Sequence, residues 1–162
     1  MKYIFILLLI FTPCLLLTEE DRKPTPKFLN IGMGVYDIIH DPHHLLLQLE
    51  YRSFFTKCTY LRPLIGIMGT EKATLYLYAG LAGDIFLGKY FVLTPSFAPG
   101  LYLKGKGKNL GFPLEFRSSM ELAYILPNQG RIGAQFYHLS NASFGYKNPG
   151  SESLLFFYSI PL

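Results

Sequence analysis

"ATLYLYAGLAGD", residues 73 to 84, has the period of a β-strand with two very different faces. Successive side chains of an extended chain point to opposite sides. Ala73, Leu75, Leu77, Ala79 and Leu81 therefore share one side, and Thr74, Tyr76, Tyr78, Gly80, Ala82 and Asp84 share the other. The first face is apolar throughout. The second mixes small residues with polar and charged ones.

The same alternation extends in both directions. From Leu45 to Arg52, the residues Leu45, Leu47, Leu49 and Tyr51 oppose Leu46, Gln48, Glu50 and Arg52. From Phe91 to Leu103, the residues Phe91, Leu93, Phe97, Leu101 and Leu103 oppose Val92, Thr94, Ser96, Ala98, Gly100 and Tyr102. Eight segments follow this pattern, at 29–38, 44–54, 58–68, 72–86, 89–104, 113–126, 131–141 and 151–161, joined by turns such as "PNQG" at 127 to 130. An even number of long strands in this arrangement predicts an all-β fold, an eight-stranded antiparallel up-and-down barrel. Pro95 and Pro99 have no N–H to give a ladder, so a break or bulge is expected in the fifth segment.

Alternation alone leaves the direction of the faces open. A soluble lipocalin-like barrel turns its apolar face inward, and an outer-membrane barrel turns it toward lipid. Side-chain size separates the two. Gly32, Gly34, Gly66, Gly80, Ala82, Ser96, Ala98, Gly100, Ser119, Ala123 and Gly133 all fall on the polar face, and an eight-stranded barrel has an interior barely wide enough for side chains. Glu50, Arg52, Arg62, Asp84, Glu115, Arg117, Glu121 and Arg131 fall there too, in mixed signs that can pair within a narrow lumen. The bulky apolar face then meets lipid, giving a transmembrane barrel with no channel.

Composition agrees. Of 162 residues 16% are charged, the formal charge is only +4, and the basic residues are scattered apart from "LKGKGKNLG" at 103 to 111, which excludes a nucleic-acid partner and leaves those lysines as a solvated loop or a patch for lipid phosphates. Lys2, an apolar run from Tyr3 to Leu17 and a polar exit describe a secretory signal peptide over residues 1–20, leaving residues 21–162 as a single barrel domain. "LLLTEE" lacks the small residues of a clean cleavage site, and Phe11, Thr12 and Pro13 make a poor lipobox before Cys14. Without Cys14 only Cys58 remains, so no internal disulfide is expected in the mature chain.

Near the C-terminus, Ile132, Ala134, Phe136, His138 and Ser140 share the lipid-facing side of the seventh segment. Polar side chains on that side are disfavoured in hydrocarbon and call for either the headgroup region or a function. "NASFGYKNPG" then forms a turn-rich loop, and the chain returns with Glu152, Leu154, Phe156, Tyr158 and Ile160 on one face. A hairpin closing in register brings Glu152 beside His138 and Ser140: a nucleophile, a base and a group to orient it.

"HLSNASFGYKNPGSE" resembles the C-terminal signature of the PagL family, lipid A 3-O-deacylases of the bacterial outer membrane, through His138, Ser140, Asn141, Asn148, Pro149, Gly150 and Glu152. "FPLEFRSSMELAYIL" at 112 to 126 is similar to the strand that precedes it in that family. The resemblance implies an outer-membrane esterase with Ser140, His138 and Glu152 as catalytic residues facing the outer leaflet, where lipid A of lipopolysaccharide is the substrate. A backbone N–H near Asn141 or Ala142, with the Asn148 amide, would hold the oxyanion. No cofactor or metal is implied, and the histidines of "HDPHH" at 40 to 44 read as a solvated loop.

Leu162 stands where many such barrels end in an aromatic residue. An outer-membrane phospholipase A also carries a His-x-Ser-Asn pattern, but in a considerably longer barrel that typically uses asparagine as the orienting residue. A non-catalytic small barrel is the alternative from another class. Lipid-facing aromatics leave a homodimer open.

Overall fold

The computed structural model describes residues 26–55 and 60–162. The expected signal peptide and Cys58 lie outside them. The described residues form strands and turns without a helix. The strands are β1 (Phe28–Tyr36), β2 (His44–Arg52), β3 (Leu61–Thr70), β4 (Leu75–Gly83), β5 (Ile85–Leu87), β6 (Phe91–Leu103), β7 (Leu114–Ile125), β8 (Arg131–Ser140) and β9 (Ser151–Pro161).

All neighbours are antiparallel. The order β4-β3-β2-β1-β9-β8-β7-β6 closes on itself through pairing of β4 with β6, giving an eight-stranded barrel. The fourth strand of the barrel is β4 continued by β5, interrupted only at Asp84. Its register against β6 is unchanged across the interruption, from Leu75↔Leu103 through Ala82↔Ser96 to Ile85↔Leu93.

The prolines act differently from expectation. β6 runs unbroken over 13 residues, and Pro95 and Pro99 keep their register with β7 as Met120 and Phe116 partners. What is lost lies on the other side. The β4–β6 ladder skips between Tyr78↔Gly100 and Leu81↔Phe97, and again beyond Ala82↔Ser96, at the positions facing Pro99 and Pro95. A residue without an N–H weakens the one ladder that N–H would have joined, and no extra residue is inserted.

The faces are those the residue sizes predict. Ile31, Met33, Leu47, Ile65, Leu77, Leu101, Ile132 and Phe156 are exposed on the outer wall, while Glu50, Arg52, Arg62, Asp84, Glu115, Arg117, Glu121 and Arg131 are all buried inside. These are four cations and four anions, so the lumen is formally neutral. Arg52 meets Glu50 through Nε at 2.6 Å and grips Glu121 through Nη1 and Nη2 at 3.0 and 2.6 Å. Arg117 donates to the other Glu50 oxygen at 2.6 Å and lies 4.0 Å over the Tyr78 ring. Nearer the chain ends, Asp84 accepts from Arg62, from both Arg131 Nη atoms at 3.0 and 2.7 Å, and from Thr94 at 3.0 Å. Seven of the eight persist this deep because they are paired and hydrogen-bonded; the Glu115 carboxylate is buried without a hydrogen-bond partner among the described residues. Gly66 is required by the same crowding, since the Tyr78 hydroxyl lies where a Cβ would stand.

Leu162 N–H donates to Lys27 O at 2.9 Å, so the two ends of the described chain meet at one rim. By the usual orientation of such barrels this rim is periplasmic. The connections 37–43, 71–74, 104–113 and 141–150 then lie at the extracellular rim. Aromatic pairs mark both rims: Tyr90 stacks on Tyr124 at one, and Phe116 packs against Phe144 at the other.

Candidate active site

β8 reaches the extracellular rim with its odd-numbered residues inward. Tyr137 and Leu139 are buried in the core, and the pleat therefore turns His138 and Ser140 outward. Across the β8–β9 ladder His138 is the direct partner of Glu152. Their side chains meet, with Nδ1 and Oε1 2.9 Å apart, and are 42% and 19% exposed. An imidazole that gives its Nδ1–H to a carboxylate is fixed in the tautomer that leaves Nε2 free to take a proton.

The loop between β8 and β9 holds this pair in place. Asn141 is fully buried, and its Nδ2 donates to Leu110 O and to Lys147 O, both at 2.8 Å. Its Oδ1 accepts from Ser143 N at 3.0 Å, closing the turn in which Ala142 and Ser143 take φ values of 50° and 66°. Gly150 has φ of 66°, and a Cβ on it would lie 2.8 Å from His138 Cε1. Only glycine allows the chain to pass this close to the imidazole.

Ser140 stands two residues beyond His138 on the same face, about 6.6 Å along the strand. Its hydroxyl makes no hydrogen bond among the described residues. The two side chains are adjacent and unjoined, as is common when no substrate draws them together. A second hydroxyl escaped the sequence reading. Ser118 of β7 is the direct partner of His138 on the opposite side from Glu152 and is exposed on the same wall. Side chains so paired have Cβ atoms about 4.5–5.5 Å apart. Only the β7–β8 register places it there.

The expected oxyanion donors are redistributed. The Asn141 N–H is engaged, donating to Asn148 Oδ1 at 3.1 Å. The donors without a protein partner among the described residues are the Ala142 N–H and the Asn148 Nδ2. Asn141 itself ties the 104–113 and 141–150 loops together. The histidine-rich loop is hydrogen-bonded as well. His43 Nδ1 lies 3.2 Å from Asp37 O, His44 Nδ1 3.3 Å from Glu71 and His40 Nδ1 3.1 Å from Asp37 Oδ1.

A closed eight-stranded barrel with an apolar outer belt, a neutral ion-paired lumen and a histidine–glutamate pair on its lipid-facing wall defines a small outer-membrane barrel with a site open to the membrane. The family model for Lipid A 3-O-deacylase (PagL) matches residues 68–161, which span β8, the loop and β9. The chain belongs to the PagL family of outer-membrane lipid A deacylases. Among solved structures, the crystal structure of the outer membrane enzyme PagL is similar over 83% of this chain and 99% of that one, with a TM-score of 0.65 at 19% identity. A de novo designed transmembrane β-barrel is similar over 88% of this chain and 100% of its own, with a TM-score of 0.60 at 8% identity. These likenesses concern the fold. No curated protein matches the chain.

Proposed function

We propose that this protein hydrolyses the ester joining a hydroxyacyl chain to the 3-position of lipid A, with Ser140 as nucleophile, His138 as general base and acid, and Glu152 as the residue that orients the imidazole. The observation that carries the reading is the His138–Glu152 pair, 2.9 Å apart on the wall that meets the outer leaflet. Family membership supplies the substrate class.

The chemistry follows from the groups present. Ser140 Oγ attacks the ester carbonyl carbon while its proton passes to His138 Nε2. Glu152 accepts the Nδ1–H and stabilises the imidazolium. The oxyanion takes hydrogen bonds from the Ala142 N–H and the Asn148 Nδ2. When the intermediate collapses, His138 returns the proton to the sugar 3-oxygen, which leaves as the alcohol. Water, deprotonated by the same nitrogen, then attacks the acyl-enzyme, releases the 3-hydroxy acid and restores the serine.

An apolar groove of about 690 Å³ on the outer wall supports the same reading. Ile31, Met33, Leu47, Ala134, Phe156 and Tyr158 are among the residues that line it. Ala134 shares a strand face with His138 and lies four residues, about 13 Å, toward the periplasmic side. A chain whose ester lies at Ser140 would descend along it, at the depth where acyl chains are packed.

Mass spectrometry of lipid A from cells making the parent or its Ser140→Ala variant tests the proposal. Loss of one 3-hydroxyacyl mass with the parent and none with the variant is expected. Unchanged lipid A with folded parent in the outer membrane would overturn it, and released fatty acid from phospholipid would redirect it.

A further inference from the structure

The row of side chains that joins His138 to Glu152 does not end at β9. β1 pairs with β9 through Val35↔Leu154, so two residues further on Asp37 comes opposite Glu152. Ile38 N–H donates to Glu152 O at 2.8 Å and the Asp37 N–H to Ser153 Oγ at 3.3 Å, which fix this crossing. Carboxylate oxygens of Asp37 and Glu152 and a ring nitrogen of His40 all lie within 4.8 Å of one another. Asp37 is 5% exposed.

Two carboxylates held so close at the edge of a membrane repel unless a cation lies among them. Lys108 supplies it. Its Nζ is 2.7 Å from Asp37 Oδ2 and 3.2 Å from His40 Nδ1. An ammonium only donates, so His40 Nδ1 can accept from Lys108 or donate to Asp37, but not both. His43 faces the Asp37 carbonyl at 3.2 Å and pairs with the exposed Asp41 at 3.3 Å, leaving Lys108 as the lysine that enters the row. The loop delivers it by design of its backbone. Tyr102 OH donates to Lys108 O at 2.8 Å and is 2.8 Å from Tyr36 OH, beside Asp37. Lys104 and Lys106 of the same loop are exposed and have no acidic partner among the described residues.

We propose that Asp37 and Lys108 are positioning residues for the reaction: the Lys108 ammonium offsets the Asp37 charge beside Glu152, so that the Glu152 carboxylate keeps its place against His138. Neither residue touches the reacting atoms. The inference rests on the reading of His138, Ser140 and Glu152 given above.

Deacylation kinetics on lipid A in mixed micelles, with purified full-length protein, test it. Lys108→Met is expected to lower kcat at least tenfold with KM changed less than threefold. Lys108→Arg, which restores the cation, and the double variant Asp37→Asn with Lys108→Met, which removes both charges, are each expected to return kcat to within threefold of the parent. Asn suits this position because Asp37 has φ of 57°, a conformation asparagine adopts readily. An unchanged kcat in Lys108→Met would overturn the proposal, as would a double variant no better than Lys108→Met. A rise in KM alone would assign Lys108 to substrate docking. Loss of parent activity in EDTA, restored by calcium or magnesium, would place a divalent ion in the role given to the ammonium. Ser140→Ala in the same assay separates the two readings: full activity there removes the triad itself, whereas its inactivity with an unaffected Lys108→Met removes only this inference.

Discussion

His138 and Glu152 are direct cross-strand partners of β8 and β9, with Nδ1 and Oε1 2.9 Å apart on the wall that faces lipid. A carboxylate there serves the imidazole in a way its amide cannot, because an amide can also donate and stabilise the wrong tautomer. Glu152→Gln is expected to lower kcat by about 10²- to 10⁴-fold with the barrel intact. Release of 3-hydroxy acid from lipid A, beside the heat-modifiable mobility of the folded barrel, measures both.

Ser140 and Ser118 both stand on the outer wall next to His138, so their alanine variants decide which hydroxyl attacks. Ser140→Ala is expected to reduce the rate by about 10³-fold or more, since the covalent step is lost. Ser118→Ala is expected to cost less than about tenfold, the loss of one hydrogen bond to a polar substrate. The reverse order would give the nucleophile's role to Ser118. Trapping the acyl-enzyme and mapping it by peptide mass identifies the residue independently.

Gly150→Ala places a methyl group 2.8 Å from His138 Cε1 at a position with φ of 66°. The imidazole or the loop must yield. Activity is expected to fall at least about tenfold, while unfolding in urea shifts by roughly 1–2 kcal/mol, the cost of a left-handed non-glycine residue. Equal activity would show that the ring has room to move without losing its role.

Asp84 holds Arg62 and Arg131 together inside the barrel. Asp84→Asn leaves two buried guanidinium groups without their shared anion. Stability is expected to drop by about 3–5 kcal/mol. Urea titration of the folded barrel in lipid vesicles would read this. Activity in the surviving folded fraction should be close to that of the parent, because the site lies at the opposite rim.

Ala134→Phe fills the apolar groove below His138. A long acyl chain should then bind less well than a short one. The expected result is a rise in KM of about five- to thirtyfold for long-chain substrates, equivalent to roughly 1–2 kcal/mol of lost apolar contact, with little change for a truncated chain. An equal effect on both lengths would separate the groove from acyl binding.

The barrel and the pairing of residues in the candidate site were legible in the chain because their signals are local. The pleat repeats every two residues, so "ATLYLYAGLAGD" by itself separates Leu75, Leu77 and Leu81 from Tyr76, Gly80 and Asp84, and side-chain size tells which set fits a narrow lumen. His138, Ser140 and Glu152 belong to one hairpin, and a hairpin's register follows from its own alternation and turn. Pro95 and Pro99 were visible as missing donors, but not which neighbouring ladder would lose them. Asn148 was visible as a turn residue, but not that its Oδ1 takes up the Asn141 N–H.

The sequence by itself determined an outward apolar wall, an ion-paired lumen and the hairpin that carries His138 and Glu152, since each follows from spacings within one or two strands. Tertiary structure alone decided that Ser118 of β7 stands beside His138, that Asp37 of β1 stands beside Glu152, and that Lys108 reaches between Asp37 and His40 from a loop 68 residues beyond His40. The physical reason is closure. Barrel registers between β7, β8, β9 and β1 are fixed by how eight strands shear to meet, and only that global condition brings distant residues into one row across the wall.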